Sequence, residues 1–287
     1  MFRLAVFTDE ISQDFARAVE VARQFELDGV EVRSVGNKPP QNLDAADRKK
    51  MQEVLDAAGL VVCSIASPFF KCELDCEAEY AQHLDILRRC IDLAHYFDCT
   101  IVRGFTFWRR GDVEAAWPRI LEKYKEPVKI IEAEGVTLAV ENEASCYIGN
   151  GGDTARFVTD VGSPHVRACW DPANELSDPR GSTPYPDGYE AIRPSMVHMH
   201  VKDGIPGQGA CEVGKGVIDF QGQFRALIDD GYDGFASLET HWRPKQLDRK
   251  VVRTPGGAEF SAGGELPSCI CLENMKRLIA EAQAGKR

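Results

Sequence analysis

Along the chain, short apolar and β-branched runs alternate with longer segments whose apolar residues recur at helical spacing. "RLAVFT" (3–8) has the pattern of a buried strand, and "ISQDFARAVEVARQFE" (11–26) puts its apolar side chains three and four residues apart, on one helix face. The alternation continues to the end of the chain. Strands are expected at 29–35, 60–67, 99–107, 136–143, 165–171, 195–203 and 234–242. Helices are expected at 43–59, 77–98, 112–134, 153–162, 219–231 and 266–283, with a poorly defined helical stretch at 187–193. Gly59 and Gly135 stand where two helices should close, and Asp153 stands where one should open.

Strict alternation of strand and helix implies a parallel sheet, because parallel neighbours need a long crossover between them. Eight such units within 287 residues is the size of an α/β (β/α)8 TIM barrel. A doubly wound open sheet is the rival, but no glycine-rich nucleotide fingerprint follows the first strand. With no composition break to mark a linker, residues 1–287 read as one domain. The stretch 243–265 after strand eight is polar, rich in glycine and long for a loop of this fold, which makes it a lid candidate.

Composition narrows the function classes. A formal charge of −11 repels phosphate backbones, so nucleic acid is not an expected partner. No apolar run approaches the ~20 residues that span a bilayer, and no basic leader precedes the first strand, so a soluble cytoplasmic protein is expected. Ten cysteines are present but none forms a Cys-x-x-Cys pair. Several lie in apolar runs such as "LVVCSIAS", where a reduced thiol packs as a small hydrophobe.

In a barrel, chemistry sits at the C-terminal ends of the strands. Strand five ends Glu141-Asn142-Glu143, strand six Trp170-Asp171-Pro172, strand seven His198-Met199-His200-Val201-Lys202 and strand eight Glu239-Thr240-His241. Each has a plain reading: Glu141 capping a loop, Asp171 opening a turn before Pro172, His198 a satisfied core histidine. Four successive strand ends carrying carboxylates and imidazoles, with three of the six histidines, favour a divalent metal site. Such a donor set suits Mn²⁺ first, with Mg²⁺, Co²⁺ or Zn²⁺ as alternatives.

The motifs "LAVENE", "CWDPAN", "VHMHVKDG" and "SLETHW", in this order, resemble the sugar isomerase/epimerase group of xylose isomerase-like barrels. That group includes ketose 3-epimerases, inosose dehydratases and 3-dehydroshikimate dehydratases, with apurinic-site endonucleases as relatives. The resemblance implies a single metal held by Glu141, Asp171, His200 and Glu239, with His198 beneath His200 as an orienting or substrate-contacting group. It also implies that Glu141 and Glu239 act as a pair of acid–base groups across an enediolate that the metal stabilises. Many ketose epimerases carry a histidine three residues after the strand-six aspartate, where this chain has Asn174. Asn174, Lys202, Arg103, Trp108, Glu143 and His241 are the remaining candidates for substrate contact, with Glu31, Lys71 and the Gly214-Lys215-Gly216 loop behind them.

The expected activity is therefore isomerisation or epimerisation of a small sugar or sugar phosphate, with many relatives of this group forming homo-oligomers. Dehydration of a keto-inositol or keto-acid on the same site is the alternative. A non-catalytic sugar-binding barrel or an endonuclease-type phosphodiesterase ranks lower, since all four ligand positions are filled and the charge is negative.

Overall fold

The structure is a computed structural model that describes residues 1–244 and 255–285. In chain order its main elements are β1 Arg3–Phe7, α1 Phe15–Gln24, β2 Gly29–Val32, α2 Ala45–Ala58, β3 Val61–Ile65 and α3 Glu77–Tyr96. There follow β4 Ile101–Gly104, α4 Val113–Glu134, β5 Thr137–Glu141, α5 Gly151–Val161, β6 Val166–Trp170 and α6 Pro172–Ser177. The chain ends with β7 Met196–Val201, α7 Phe220–Asp229, β8 Phe235–Leu238 and α8 Glu265–Ala284.

Two compact units share these elements, Met1–Cys63 with Met199–Arg287, and Ser64–His198. In the first, β1 lies between β2 and β8, parallel to both, with Ala5 opposite Gly29 on one side and Ser237 on the other. All residues of β2 and β8 are buried, as expected of parallel strands covered on both faces. In the second, β4 pairs in parallel with β5, and β5 with β6. An aromatic cluster of Phe69, Phe70, Phe107, Tyr124 and Phe157 packs inside this unit, and Tyr124 donates its hydroxyl to the Phe105 carbonyl. Strands β3 and β7 each run from one unit into the other, and the strand order β1-β8-β7-β6-β5-β4-β3-β2 closes as a parallel barrel.

Local chemistry sets the helix ends. Asp44 and Asp47 form a capping box at the start of α2, and Gly59 ends it in the left-handed region at φ 67°. Gly135 ends α4 in the same way at φ 68°. Two expected boundaries are corrected. Helix α1 begins at Phe15, not at residue 11, because Thr8–Ile11 forms a separate helical turn and Asp14 accepts the amides of Ala16 and Arg17. Helix α5 is capped by Asn150, not by Asp153, which instead lies in its first turn.

Three features had no clear sequence pattern. Residues 184–195 are a succession of short helical turns. The short helix α6 follows Asp171 directly. After β7, Asp203–Ile205 and Gly209–Cys211 form an antiparallel hairpin, fastened where Asp203 accepts the amides of Gly204, Gly214 and Gly216. Within the lid candidate 243–265, residues 245–254 lie outside the described residues, while Gly257–Ser261 is a short helix. Among the described residues no disulfide joins the cysteines, and no helix is long and apolar enough to cross a membrane.

Candidate metal and catalytic site

In the first unit the site is built on the ends of β1, β2, β7 and β8. Glu239 follows β8 directly and is buried. Its Oε1 accepts from Arg33 Nη1 at 2.7 Å and its Oε2 from Lys202 Nζ at 2.7 Å. Burial pushes the Glu239 carboxyl upward, but Lys202, His241, Arg33 and His200 outweigh it and hold the group well below the usual carboxylate range. Glu239 is therefore ionised at neutral pH. His200, at the end of β7, is fully buried with Nε2 3.4 Å from Glu31 Oε1 and its ring edge-on to Phe7.

Behind Glu239 lies a charged network. Glu10 accepts from Arg33 Nη2 at 3.0 Å, Arg243 Nη2 at 3.2 Å and the His241 amide at 3.1 Å. His241 Nδ1 lies 2.9 Å from Glu10 Oε1 and 3.8 Å from Glu239 Oε1. His241 reaches this position from a left-handed backbone, φ 46°. Burial raises the Glu10 carboxyl, but His241, Arg33 and Arg243 outweigh it and bring the group down to about 2. Asp9 takes the other edge of Arg33, with Nε and Nη2 each at 3.0 Å, and burial pushes its carboxyl upward. Glu10, Glu239 and His241 each bring one ligand atom within 4.8 Å of the others, but the two guanidiniums already neutralise Glu10.

The second unit holds the strand-five and strand-six residues. Glu141 ends β5, with Oε2 3.1 Å from Arg103 Nη1 and Oε1 accepting from Asn174 Nδ2 at 2.9 Å. Asp171 N-caps α6: its Oδ1 accepts the amides of Ala173 at 2.8 Å and Asn174 at 3.0 Å. The turn-opening role before Pro172 is thus real, and it engages one carboxylate oxygen. The same helical turn carries Asn174 to Glu141. Asn142 locks the two strand ends together, its amide donating to the Asp171 carbonyl at 2.8 Å and its Oδ1 accepting from the Asp171 amide at 2.7 Å. His198 is fully buried in β7.

The remaining candidates lie around these groups. Glu143 accepts from Lys71 Nζ at 2.7 Å and from the Ser145 amide at 3.1 Å. Lys71 in turn lies 4.2 Å from the Phe105 ring centroid and 5.8 Å from that of Trp108. Lys215 is exposed on its loop. Sequence reasoning missed Asp9, Glu10, Arg33 and Arg243. For the first three the sequence showed their place though not their pairing: Asp9-Glu10 come just after β1, and Arg33 comes just after β2, two residues beyond Glu31.

Comparison with known proteins agrees with this architecture. The family described as xylose isomerase-like TIM barrel matches residues 19–260. An inosose dehydratase of Klebsiella pneumoniae (strain 342) is 22% identical over 276 residues, 83% of this chain and 90% of that protein. Among solved structures, a D-allulose 3-epimerase from Methylomonas sp. in complex with D-allulose superposes with a TM-score of 0.73 at 16% identity, covering 96% of each chain. A xylose isomerase-like TIM barrel protein from Mycobacterium smegmatis in complex with magnesium gives a TM-score of 0.70 at 18% identity, covering 99% of this chain and 97% of that one.

Proposed function

The chain belongs to the xylose isomerase-like TIM barrel family, and on that premise we propose that it is a divalent-metal-dependent isomerase or epimerase of a small sugar or sugar phosphate. In this reading Glu141, Asp171, His200 and Glu239 hold one ion, Mn²⁺ being the first choice. Their positions support it: each lies at the C-terminal end of its strand, the end at which barrels of this kind carry their chemistry. Their chemistry supports it too, since three carboxylates and one imidazole, all buried, form an oxygen-rich donor set with a single nitrogen.

When bound, the ion supplies Lewis acidity toward the sugar's carbonyl. The chain's own groups handle the proton. Glu239 is kept ionised by Lys202, His241 and Arg33, so it enters the reaction able to accept a proton from the carbon beside the carbonyl. Glu141, held by Arg103 and Asn174, is the second carboxyl group. It acts in its acid form and gives its own proton to the planar intermediate, while Glu239 keeps the proton it took, and exchange with water resets both groups. Return to the opposite face of the same carbon gives the epimer, and return to the neighbouring carbon gives the isomer.

The observation that carries this reading is the setting of Glu239, a buried carboxylate at the end of a barrel strand with Arg33 Nη1 on one oxygen and Lys202 Nζ on the other, each at 2.7 Å. A second reading has a specific observation behind it: the inosose dehydratase relative. Dehydration begins with the same proton abstraction, then forms a carbon–carbon double bond as the neighbouring hydroxyl leaves, protonated, as water.

Incubation with Mn²⁺ and a panel of ketoses, keto-inositols and sugar phosphates in D₂O tests both. Deuterium entering at the carbon beside the carbonyl of an otherwise intact sugar is expected for the isomerase or epimerase. Loss of water from a keto-inositol without an epimer product selects the dehydratase. Absence of exchange and of elimination across the panel, with Mn²⁺ bound, would reject proton abstraction altogether.

A further inference from the structure

Resting on the metal-site reading above, we propose that Arg33 is a positioning residue that fixes the direction in which the Glu239 carboxylate faces. A guanidinium is planar and carries its N–H groups in a fixed fork, so whatever holds the plane aims every remaining N–H. Arg33 is held on several sides. Asp9 grips the Nε/Nη2 edge with two hydrogen bonds of 3.0 Å, and Glu10 accepts from Nη2 at 3.0 Å. The rings of Phe7 and Phe260 each lie with their centroids 4.6 Å from its Cζ. Ser34 donates to Asp9 Oδ2 at 2.8 Å, so the acid that holds the guanidinium is itself held.

The Nη1 group reaches Glu239 Oε1 at 2.7 Å. Its side chain is 4% exposed, and that of Glu239 is 4% exposed, so water does not substitute for this bond. Lys202 also touches Glu239, at Oε2. An ammonium on a four-carbon stem is a point charge that donates over a wide range of directions, so it holds the charge of Glu239 without fixing the plane. Arg33 alone of these two cations brings a braced, directional donor. Placing one carboxylate oxygen against Nη1 determines where the lone pairs of the other point, which is the property a metal ligand or a proton acceptor needs.

The proposal separates orientation from charge, and R33K tests that separation because it keeps the charge and loses the fork. Mn²⁺ affinity, measured by titration calorimetry, is expected to fall about 10- to 100-fold in both R33K and R33M, the usual effect of removing a partner that orients a ligand. The kcat of R33K at saturating Mn²⁺ should fall with KM little changed. D9N, which loosens Arg33 without touching Glu239, should lower affinity by a smaller factor. Wild-type Mn²⁺ affinity in R33K would overturn the proposal, since charge alone would then suffice. If R33M does not fold, R33K and D9N carry the test.

A crystal structure of R33K supplies a readout independent of metal. The Glu239 carboxylate is expected to rotate away from its wild-type plane, and an unchanged Glu239 rotamer would overturn the positioning role. Failure of the wild-type protein to bind any divalent ion would instead reject the metal-site reading, while the Glu239 rotamer would still decide the role of Arg33.

Discussion

His83, on α3, shows how one buried side chain writes a pH dependence into stability. Its Nδ1 accepts the Phe70 amide at 2.8 Å, which requires a neutral ring with its proton on Nε2. Burial pushes the imidazole down from 6.5 to about 4. The unfolded chain therefore takes up a proton before the folded one as pH falls. The stabilising contribution is complete above about pH 6.5, declines as pH drops from 6.5 toward 4, and is exhausted below the folded value. A shift of this size corresponds to at most about 3 kcal/mol at 1.36 kcal/mol per pH unit, and about 2 kcal/mol once partial solvent screening is allowed for. Urea denaturation at pH 7, 5.5 and 4.5 should show a steeper acid decline for wild type than for His83→Gln. Equal slopes in the two proteins would remove His83 as the cause.

At the scale of elements, legibility followed locality. The ends of α2 and α4 were readable because glycine alone enters the left-handed region without strain, and Gly59 and Gly135 occupy it. The start of α5 was not. "IGNGGDTARF" offers two capping residues three apart, and consecutive glycines read as loop. In the fold, a Cβ at Gly151 would meet the Gly188 carbonyl oxygen at 2.6 Å and the Trp170 ring at 3.2 Å, so a glycine is required inside the first turn. Asn150 and Asp153 then bond reciprocally, the Asp153 amide donating to Asn150 Oδ1 and Asn150 Nδ2 to Asp153 Oδ2, each at 2.8 Å. Asn150→Ala should lower stability by about 1–2 kcal/mol, the cost of a lost N-cap. A chemical-denaturation midpoint unchanged from wild type would show the cap to be dispensable.

The same principle accounts for what was missed around Glu239. The four strand-end motifs are local strings, so their acids and histidines could be read directly from the sequence. The charged network is not local. Arg33 draws its partners from 24, 23 and 206 residues away, at Asp9, Glu10 and Glu239. No period or spacing in the sequence signals such pairings, and a lone arginine after a strand is ordinarily solvated surface. The strand-six turn falls between these cases: Asp171-Pro172 marked the turn, but Asn174 reaching Glu141 required the helical geometry of α6.

At the scale of the whole molecule, the balance of buried charge leads to a stability prediction. In the first unit the strand-end acids Asp9, Glu10, Glu31 and Glu239 face the cations Arg33, Lys202 and Arg243, and in the second Glu141 and Asp171 stand with Arg103. Buried carboxylates this close together are tolerated only where each is paired and hydrogen-bonded. In the proposed reading a divalent cation binds the folded chain far better than the unfolded one, because only folding assembles its ligands. Free Mn²⁺ at about 100 times its Kd should then stabilise the fold by about 2.7 kcal/mol, and chelation should remove that increment. Potassium chloride at equal ionic strength separates specific binding from screening, since screening acts on exposed charge and leaves a buried site untouched. Glu239→Gln should abolish the Mn²⁺ increment in Tm, whereas Glu114→Gln, a carboxylate paired with Arg156 on the exterior, should keep it. An increment that survives in Glu239→Gln, or that potassium reproduces, would mean that Mn²⁺ acts on the surface.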